Sequence, residues 1–127
     1  MNTKTKKIIG WVLSALVFVI FAPSAFMKFS GAPEVIENGA KFGISVSMFT
    51  IIGVIELISL ILFLIPKTGI IGTLLLASYM GGAIATHLEH NESIAAPLAI
   101  ATFVWIVAFI RFPELSERIF TKDKIEK

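Results

Sequence analysis

Long, nearly uncharged runs alternate with short charged segments along this sequence, and the pattern predicts helices that cross a membrane. Each run is close to the roughly 20 residues that a helix needs to span about 30 Å of hydrocarbon. The predicted spans lie at about 8–26, 45–65, 70–87 and 94–112. The pattern indicates an all-α integral membrane protein, with residues 1–127 forming a single transmembrane domain.

The connections between the spans predict how they pack. A short turn, Pro66 to Gly69, joins the second span to the third, and so short a connection requires an antiparallel helical hairpin. The outer loop, residues 28–44, is longer, and Pro33 and Gly39 frame a helix of one or two turns within it. We expect this helix to lie across the mouth of the bundle, either as a lid or as a simple connector.

Both ends of the chain allow two interpretations. The basic leader and the small residues near the end of the first span resemble a secretory signal with a cleavage site. We favour a retained span, because the run is longer than a signal needs and Pro23 lies within any candidate cleavage site. The cytoplasmic tail, residues 113–127, is predicted to form either a solvated charged segment or a short interfacial helix. That helix would place Leu115, Ile119 and Phe120 against the bilayer.

Composition supports the membrane assignment and narrows the chemistry. The chain is 56% hydrophobic and 16% charged, whereas an average soluble domain is about half apolar and a quarter charged. There is no cysteine, which excludes disulfides, thiolate metal sites and cysteine redox relays. No metal-ligand spacing is present either, so the sequence predicts no metal site. The net charge of +2 does not imply a nucleic-acid partner, because the basic residues are used for topology.

The basic residues predict the orientation in the membrane. With both termini in the cytoplasm, nine basic residues lie inside and two, Lys28 and Lys41, lie outside, as the positive-inside rule requires. The inside set is Lys4, Lys6, Lys7, Lys67, Arg111, Arg118, Lys122, Lys124 and Lys127. We therefore expect a multi-pass protein with N- and C-termini in the cytoplasm.

Glu56 is the most informative polar residue, because it lies within a predicted span. It is about 16 Å along the second span, at 1.5 Å per residue, and so close to the bilayer midplane. A charged group there costs roughly 2.5 to 3.5 kcal/mol on insertion scales. Glu56 should therefore face the interior, either neutral or paired, and we expect it to exchange protons.

Other polar and small residues predict a pocket around Glu56 in the outer half of the membrane. Lys28 and His87 end their spans on the outer side and would form its roof, while Gly53 lies one turn from Glu56 and leaves room for a ligand. The substrate-binding set is Lys28, Gly53, Glu56, Tyr79, Met80, Thr86 and His87. Simpler roles are open for each polar member: headgroup anchoring for Lys28, helix capping for His87 and a structural hydrogen bond for Glu56.

The third span carries two rows of small residues at intervals of four. One row is Ala77, Gly81 and Ala85, and the other is Ser78, Gly82 and Thr86. Small side chains let a second helix approach closely. We expect packing within the chain, with a second copy of the protein as the alternative.

An ordered set of motifs carries a resemblance to a known family. They are Phe26-Met27-Lys28-Phe29, Gly53-Val54-Ile55-Glu56, Leu62 to Pro66 followed by Thr68 to Gly72, Met80 to Ala83, and Ala85-Thr86-His87. In this order, from about Ile8 to Phe112, the chain resembles the DoxX-like family of small four-span membrane proteins. The resemblance implies a four-helix bundle in a bacterial plasma membrane, with Lys28, Glu56 and His87 at the family's recurrent polar positions.

The family's relatives are linked to membrane oxidoreductases and, in archaea, to thiosulfate oxidation coupled to quinone. No thiosulfate-specific feature is visible in this sequence. Our first hypothesis is the membrane subunit of a quinone-linked oxidoreductase, in which Lys28 and His87 hydrogen-bond the quinone oxygens and Glu56 exchanges protons. A redox partner protein would supply the electrons. The alternatives are a proton-coupled carrier of a small solute, working as a homo-oligomer, and a non-catalytic assembly factor. Whether the chain is an enzyme stays open.

Overall fold

The computed structural model describes residues 2–120, most of which are helical. The α-helices are α1 (Thr3–Ser30), α2 (Pro33–Phe42), α3 (Val46–Leu64), α4 (Gly69–Glu89), α5 (Ala95–Arg111) and α6 (Pro113–Phe120). A 3-10 turn, Pro66–Thr68, joins α3 to α4. The all-α prediction is confirmed for these residues. The part of the predicted tail from residue 121 onward lies outside them.

Helix α1 is longer than the predicted first span and includes its basic leader. The Asn2 side chain accepts a hydrogen bond from Thr5 N at 2.8 Å and so caps the first turn. The helix ends at Gly31, whose φ of 73° suits a residue without a Cβ. Pro23 lies inside the helix without ending it, as is tolerated in membrane helices because neighbouring groups satisfy the freed backbone.

The four longest helices pack around a shared apolar core. Helix α1 contacts α3 and α5, and α4 contacts the same two helices. The predicted α3–α4 hairpin is confirmed, and Thr68 Oγ1 fixes its turn by donating to Leu62 O at 2.9 Å. The buried core residues are Val17, Phe21, Leu60, Phe63, Leu76, Met80, Val104, Val107, Ala108 and Phe112.

Two glycines allow close packing of α3, one against α1 near the start of α3 and the other against α4 near its end. A Cβ at position 53 would lie 2.9 Å from Ala25 O and 3.0 Å from Lys28 Cβ, so Gly53 lets α3 approach the α1 backbone. A Cβ at position 72 would clash with the Phe63 backbone, so Gly72 brings α4 against α3 near their shared turn. These close approaches position the polar residues described below.

The small residues of α4 were expected to pack against another helix of the chain, and two of them do not. Nothing lies within 4 Å of a Cβ built at Gly81 or at Gly82, and both residues are exposed. The prediction was wrong at these positions, because a small residue has the same sequence signature whether it meets a helix or leaves a surface open. Gly53 and Gly72 make the close contacts instead.

Helix α2 is longer than the one or two turns predicted. It runs to Phe42 and ends at Gly43, which has a φ of 70°. Gly39, expected just past the end, lies inside the helix. A Cβ at this position would clash with the Phe49 ring and come within 2.7 Å of Ile44 O. The glycine therefore allows α2 to pack on the start of α3. We call this end of the molecule the α2 end.

The helices are those of a multi-pass membrane protein. Among the described residues, α1, α3 and the segment Pro66–Glu89 are long and apolar enough to cross a bilayer. A fourth crossing results if α5 and α6, which meet at an angle of 102°, are counted as one broken span. The bend follows from Pro113, since the residue before a proline avoids helical geometry. Large apolar side chains on the outer faces, such as Ile51 and Ile71, are exposed, and we take lipid as their environment.

Candidate functional site

A buried ion pair joins α1 to α3 in the α2 half of the molecule. Lys28 Nζ lies 2.8 Å from Glu56 Oε1. The side chain of Glu56 is 2% exposed and that of Lys28 is 17% exposed. Lys28 therefore points toward the carboxylate inside the helices and not toward headgroups, and Glu56 has the partner that its depth requires.

Two hydroxyl groups complete the surroundings of this pair. Tyr79 OH donates to Glu56 Oε1 at 3.0 Å, and Ser24 Oγ donates to the same oxygen at 3.4 Å. Lys28 Nζ also donates to Ser24 Oγ at 2.6 Å. The three bonds to the carboxylate, from Ser24, Lys28 and Tyr79, converge on Oε1, and Oε2 accepts none from the residues that the structure describes. We call Ser24, Lys28, Glu56 and Tyr79 the polar cluster.

The local sequence explains why the cluster forms. Ser24 and Lys28 are four residues apart on α1 and therefore share a face, so the lysine can reach back along its own helix. Gly53 precedes Glu56 by one turn of α3 and lets the α1 backbone approach. Tyr79 comes from α4 and packs edge-on against Phe21 of α1, with ring centroids 6.4 Å apart. The cluster thus ties three helices together.

A cleft of about 800 Å³ lies beside the cluster. It is on the α2 side of the Gly72 contact, and residues of α1, α3 and α4 line it. Helix α2 covers it with Val35, Asn38, Lys41 and Phe42. The other lining residues are Ser24, Met27, Lys28, Ile44, Phe49, Ile52, Ser78, Tyr79, Gly82, Ala83, Thr86, His87 and Glu92. Lys28 and Tyr79 therefore connect the cleft to Glu56.

His87 lies in the cleft wall near α2. Its Nδ1 is 2.7 Å from Ala83 O, and because a carbonyl only accepts, Nδ1 carries the hydrogen. Nε2 is then the nitrogen that can accept from a ligand. The His87 ring also contacts Phe42 of α2, with centroids 5.2 Å apart. The histidine is thus held between its own helix and the cover of the cleft.

A second ion pair fastens α2 over the cleft. Lys41 of α2 pairs with Glu92 in the loop after α4. The hydrogen bond from Lys41, followed by its charge, holds the pKa of Glu92 below its ordinary value of 4.5. His90, on the same loop, contacts Phe42 with centroids 5.2 Å apart. Helix α2 is therefore attached to the α4 side of the cleft by both charge and ring contacts.

The structure separates the predicted site residues into two groups. Lys28, Tyr79, Thr86 and His87 line the cleft, and Glu56 reaches it through Lys28 and Tyr79. Gly53 and Met80 do not line it. The space beside Gly53 is filled by α1, and Met80 is 4% exposed within the apolar core.

Sequence reasoning missed Ser24 and the polar residues that cover the cleft. In the sequence, Ser24 is one of the small residues near the possible cleavage site, and its spacing of four from Lys28 is the signal that could have identified it. Asn38, Lys41 and Glu92 were not selected. Lys41 and Glu92 are far apart in the chain, so their pairing has no local signature.

The opposite end of the molecule holds another inward-facing cation. Arg111, the last residue of α5, donates from Nη1 to Phe63 O at 2.7 Å and from Nη2 to Leu64 O at 3.1 Å. Its guanidinium carbon lies 4.7 Å from the ring centroids of both Trp11 and Phe112. Helix α3 has no basic residue in its last turn, so Arg111 satisfies its terminal carbonyls from another helix.

Within residues 2–120, no group of three or more His, Cys, Asp or Glu side chains is arranged to hold a metal ion. The polar cluster has a single carboxylate, with an ammonium and hydroxyl groups around it. Such a set suits hydrogen bonding and proton exchange with an organic ligand.

Comparison with known proteins gives a family. The sequence model described as the DoxX-like family matches residues 12–109, a range that contains the polar cluster and every residue that lines the cleft. No curated protein and no solved structure matches the chain. The family match agrees with the resemblance carried by the sequence motifs.

Proposed function

This chain belongs to the DoxX-like family, and we propose that it binds the head of a quinone in the cleft, as the membrane subunit of a quinone-linked oxidoreductase. The observation that carries the proposal is the polar cluster: a buried carboxylate bonded to an ammonium and a phenol that both line an open cleft. An intramembrane ionisable residue is by default a functional candidate, because an apolar side chain would serve packing at lower cost.

The proposed topology is a four-helix bundle of one domain, in which α1, α3, α4 and α5 cross a bacterial plasma membrane. Both termini lie in the cytoplasm and the α2 end lies outside. Arg111, at the far end of the molecule from Lys41 and the cleft, is then on the cytoplasmic side together with the basic start of α1. The distribution of Lys and Arg supports this orientation.

A lipophilic ligand fits the shape of the cleft. Phe49 is buried, whereas Ser78 and Gly82 line the same cleft and are exposed on the outer face of α4. Gly82 is about 10 Å from the end of α4 at 1.5 Å per residue, which supports a position of this edge within the bilayer. We infer that the ligand enters sideways from the lipid, with its ring toward Lys28 and its apolar tail in the bilayer.

The chemistry assigned to the cluster is hydrogen bonding and proton exchange. Reduction of a quinone adds an electron pair to the ring system and one proton to each carbonyl oxygen. Lys28 and Tyr79 would donate to these oxygens, and His87 Nε2 would accept from a hydroxyl of the reduced ring. Glu56 would take up and release the protons. The chain has no cysteine, so the electrons are assigned to a partner reductase or dehydrogenase.

The test is the quinone content of the purified protein. Wild-type chain, Glu56→Gln and Glu89→Gln are purified from native membranes in mild detergent, and quinone per chain is measured in the lipid extract. Glu89 is an exposed carboxylate of α4 that does not line the cleft, so its variant controls for the loss of a charge. We expect near-stoichiometric quinone in wild type and in Glu89→Gln, and a loss of at least about tenfold in Glu56→Gln. Quinone absent from wild type, or unchanged in Glu56→Gln, would contradict the proposal.

The open face of α4 favours a second candidate, a non-catalytic assembly factor. Gly81 and Ala85 are exposed, and Gly81 has open space around it, so a helix of another protein can approach there. This role predicts that Gly81→Leu impairs function in cells more than Glu56→Gln does.

A proton-coupled carrier predicts instead that Glu56→Gln abolishes substrate-driven pH changes in proteoliposomes.

A further inference from the structure

A second pocket, of about 540 Å³, lies at the end of the molecule opposite α2. Its wall includes Lys6, Lys7 and Trp11 from α1, Arg111 from α5 and Glu114 from α6. We call it the basic pocket. It shares no lining residue with the cleft, so the proposed quinone site does not account for it.

The charges of the basic pocket favour an anion. Three of its lining side chains are basic and one is acidic. Within the part of the chain that the structure describes, neither Lys6 nor Lys7 forms an ion pair. Arg111 is fixed by its bonds to Phe63 O and Leu64 O and adds a positive charge at a defined place. A negatively charged group placed between Lys6 and Lys7 would therefore meet two ammonium groups that form no ion pair within residues 2–120.

The position of the pocket favours a lipid as the source of that anion. Helix α6 turns by 102° from α5 directly beside it, so the pocket lies where the long helices end and the polar headgroups begin. Trp11 is a residue type enriched at that depth. Ile110 and Phe112 complete the wall with apolar surface, against which acyl chains can pack.

We propose that the basic pocket binds the phosphate-bearing headgroup of an anionic phospholipid, with Lys6 and Lys7 as the principal donors. The phosphate group carries the recognition, and the apolar wall selects a lipid over a free phosphate. Basic pockets between membrane helices are used in this way by other proteins. The site is separate from the cleft, so its test does not depend on quinone.

The experiment titrates the full chain in mild detergent and follows its unfolding temperature. The probes are dioleoyl phosphatidylglycerol, dioleoyl phosphatidylcholine and inorganic phosphate. We expect phosphatidylglycerol to raise the unfolding temperature at concentrations at which the other probes have no effect. Equal stabilisation by phosphatidylcholine would overturn the anion preference, and stabilisation by inorganic phosphate alone would overturn the assignment to a lipid.

Matched double variants distinguish binding in the pocket from a general effect of positive charge at this end of the molecule. Lys6→Gln with Lys7→Gln removes the proposed donors, whereas Lys4→Gln with Lys67→Gln removes the same charge from exposed residues outside the pocket. At about 1 kcal/mol per basic residue, the first pair should raise the half-maximal lipid concentration about 30-fold. The second pair should change it far less, and Lys6→Arg with Lys7→Arg should retain binding. Equal losses in the two Gln pairs would overturn the proposal.

Discussion

The two ends of this molecule each bring a cation inward from a helix end, and they satisfy it differently. Arg111 donates to the backbone carbonyls of Phe63 and Leu64 and is surrounded by aromatic rings. Lys28 donates to the side chains of Glu56 and Ser24 beside an open cleft. A carbonyl cannot take up a proton at physiological pH, whereas a carboxylate can. The first arrangement is therefore structural, and the second can take part in chemistry.

The difference also concerns what a ligand can reach. The partners of Arg111 belong to the backbone at the end of α3, and moving them would disrupt the α3–α4 turn. Lys28 and Tyr79 are side chains that line the cleft, so a ligand can bond them while the helices stay in place. The comparison predicts that damage at Arg111 affects stability and leaves quinone binding unchanged, whereas damage at the polar cluster affects both stability and quinone binding.

The largest expected effect is that of removing Lys28. Lys28→Met leaves the Glu56 carboxylate buried without its cation, and breaking such a pair costs about 3–5 kcal/mol. The free energy of unfolding in mixed detergent micelles measures this. Adding Glu56→Gln should recover most of the loss, because the amide keeps an acceptor for Tyr79 and carries no charge. A double variant as unstable as Lys28→Met would contradict the ion-pair account.

The second prediction concerns the other end. Arg111→Met removes two charge-assisted hydrogen bonds and leaves terminal carbonyls of α3 without their donor, which should cost about 2–3 kcal/mol. Quinone content per chain should stay at the wild-type level once the protein is folded. A loss of quinone comparable to that of Glu56→Gln would contradict the claim that only the polar cluster, and not Arg111, takes part in quinone binding.

Two glycine variants test the packing that forms the cluster. Gly53→Ala places a methyl group 2.9 Å from Ala25 O, and overpacking of this kind costs about 1–3 kcal/mol. Gly82→Ala is the matched control, since its Cβ meets open space, and it should leave the free energy of unfolding unchanged or slightly higher. Equal destabilisation by the two variants would show that Gly53 does not set the α1–α3 distance.

Tyr79→Phe should have a smaller effect on stability and a clear effect on binding. It removes one hydrogen bond to Glu56 Oε1, worth about 1 kcal/mol to the free energy of unfolding. The affinity for a short-chain quinone, measured by titration, should fall about fivefold to tenfold. An unchanged affinity would show that Tyr79 does not contact the quinone.

The smallest effect is the pH dependence of the attachment of α2. Lys41 lowers the pKa of Glu92, so the ion pair stabilises the attachment of α2 at pH values above the ordinary pKa of the carboxyl group. This stabilisation is lost as the pH falls below that value and the carboxylate is protonated. Amide hydrogen exchange in α2, corrected for the intrinsic pH effect, should therefore increase below about pH 4.5. Lys41→Gln should remove most of this dependence. A wild-type profile equal to that of Lys41→Gln would contradict the role of the pair.

Patterns along the chain were enough to predict the long helices and the burial of Glu56 among them. Hydropathy marks spans, and the short turn at Pro66 fixes the α3–α4 hairpin, since both signals are local. A carboxyl group within a span is expected to be either neutral or paired, and the structure shows the pair with Lys28. The family match over residues 12–109 confirms the resemblance that the motifs carried.

The roles of small residues could not be predicted in the same way. Gly53 and Gly82 look alike in sequence, yet one meets the α1 backbone and the other borders an open cleft. That difference depends on which helix lies opposite, which a single sequence does not specify. The pairing of Lys41 with Glu92 and the capping of α3 by Arg111 are long-range contacts of the same kind.

The most direct test of the central claim is photolabelling with an azidoquinone in native membranes, followed by mapping of the labelled peptides. The account predicts label within residues 24–28 and 78–87, competed by unlabelled quinone and lost in Glu56→Gln. It predicts no competed label at the opposite end, around Trp11 and Arg111. Competed label at that end, or label at the cleft that survives Glu56→Gln unchanged, would contradict the assignment of the polar cluster to quinone binding.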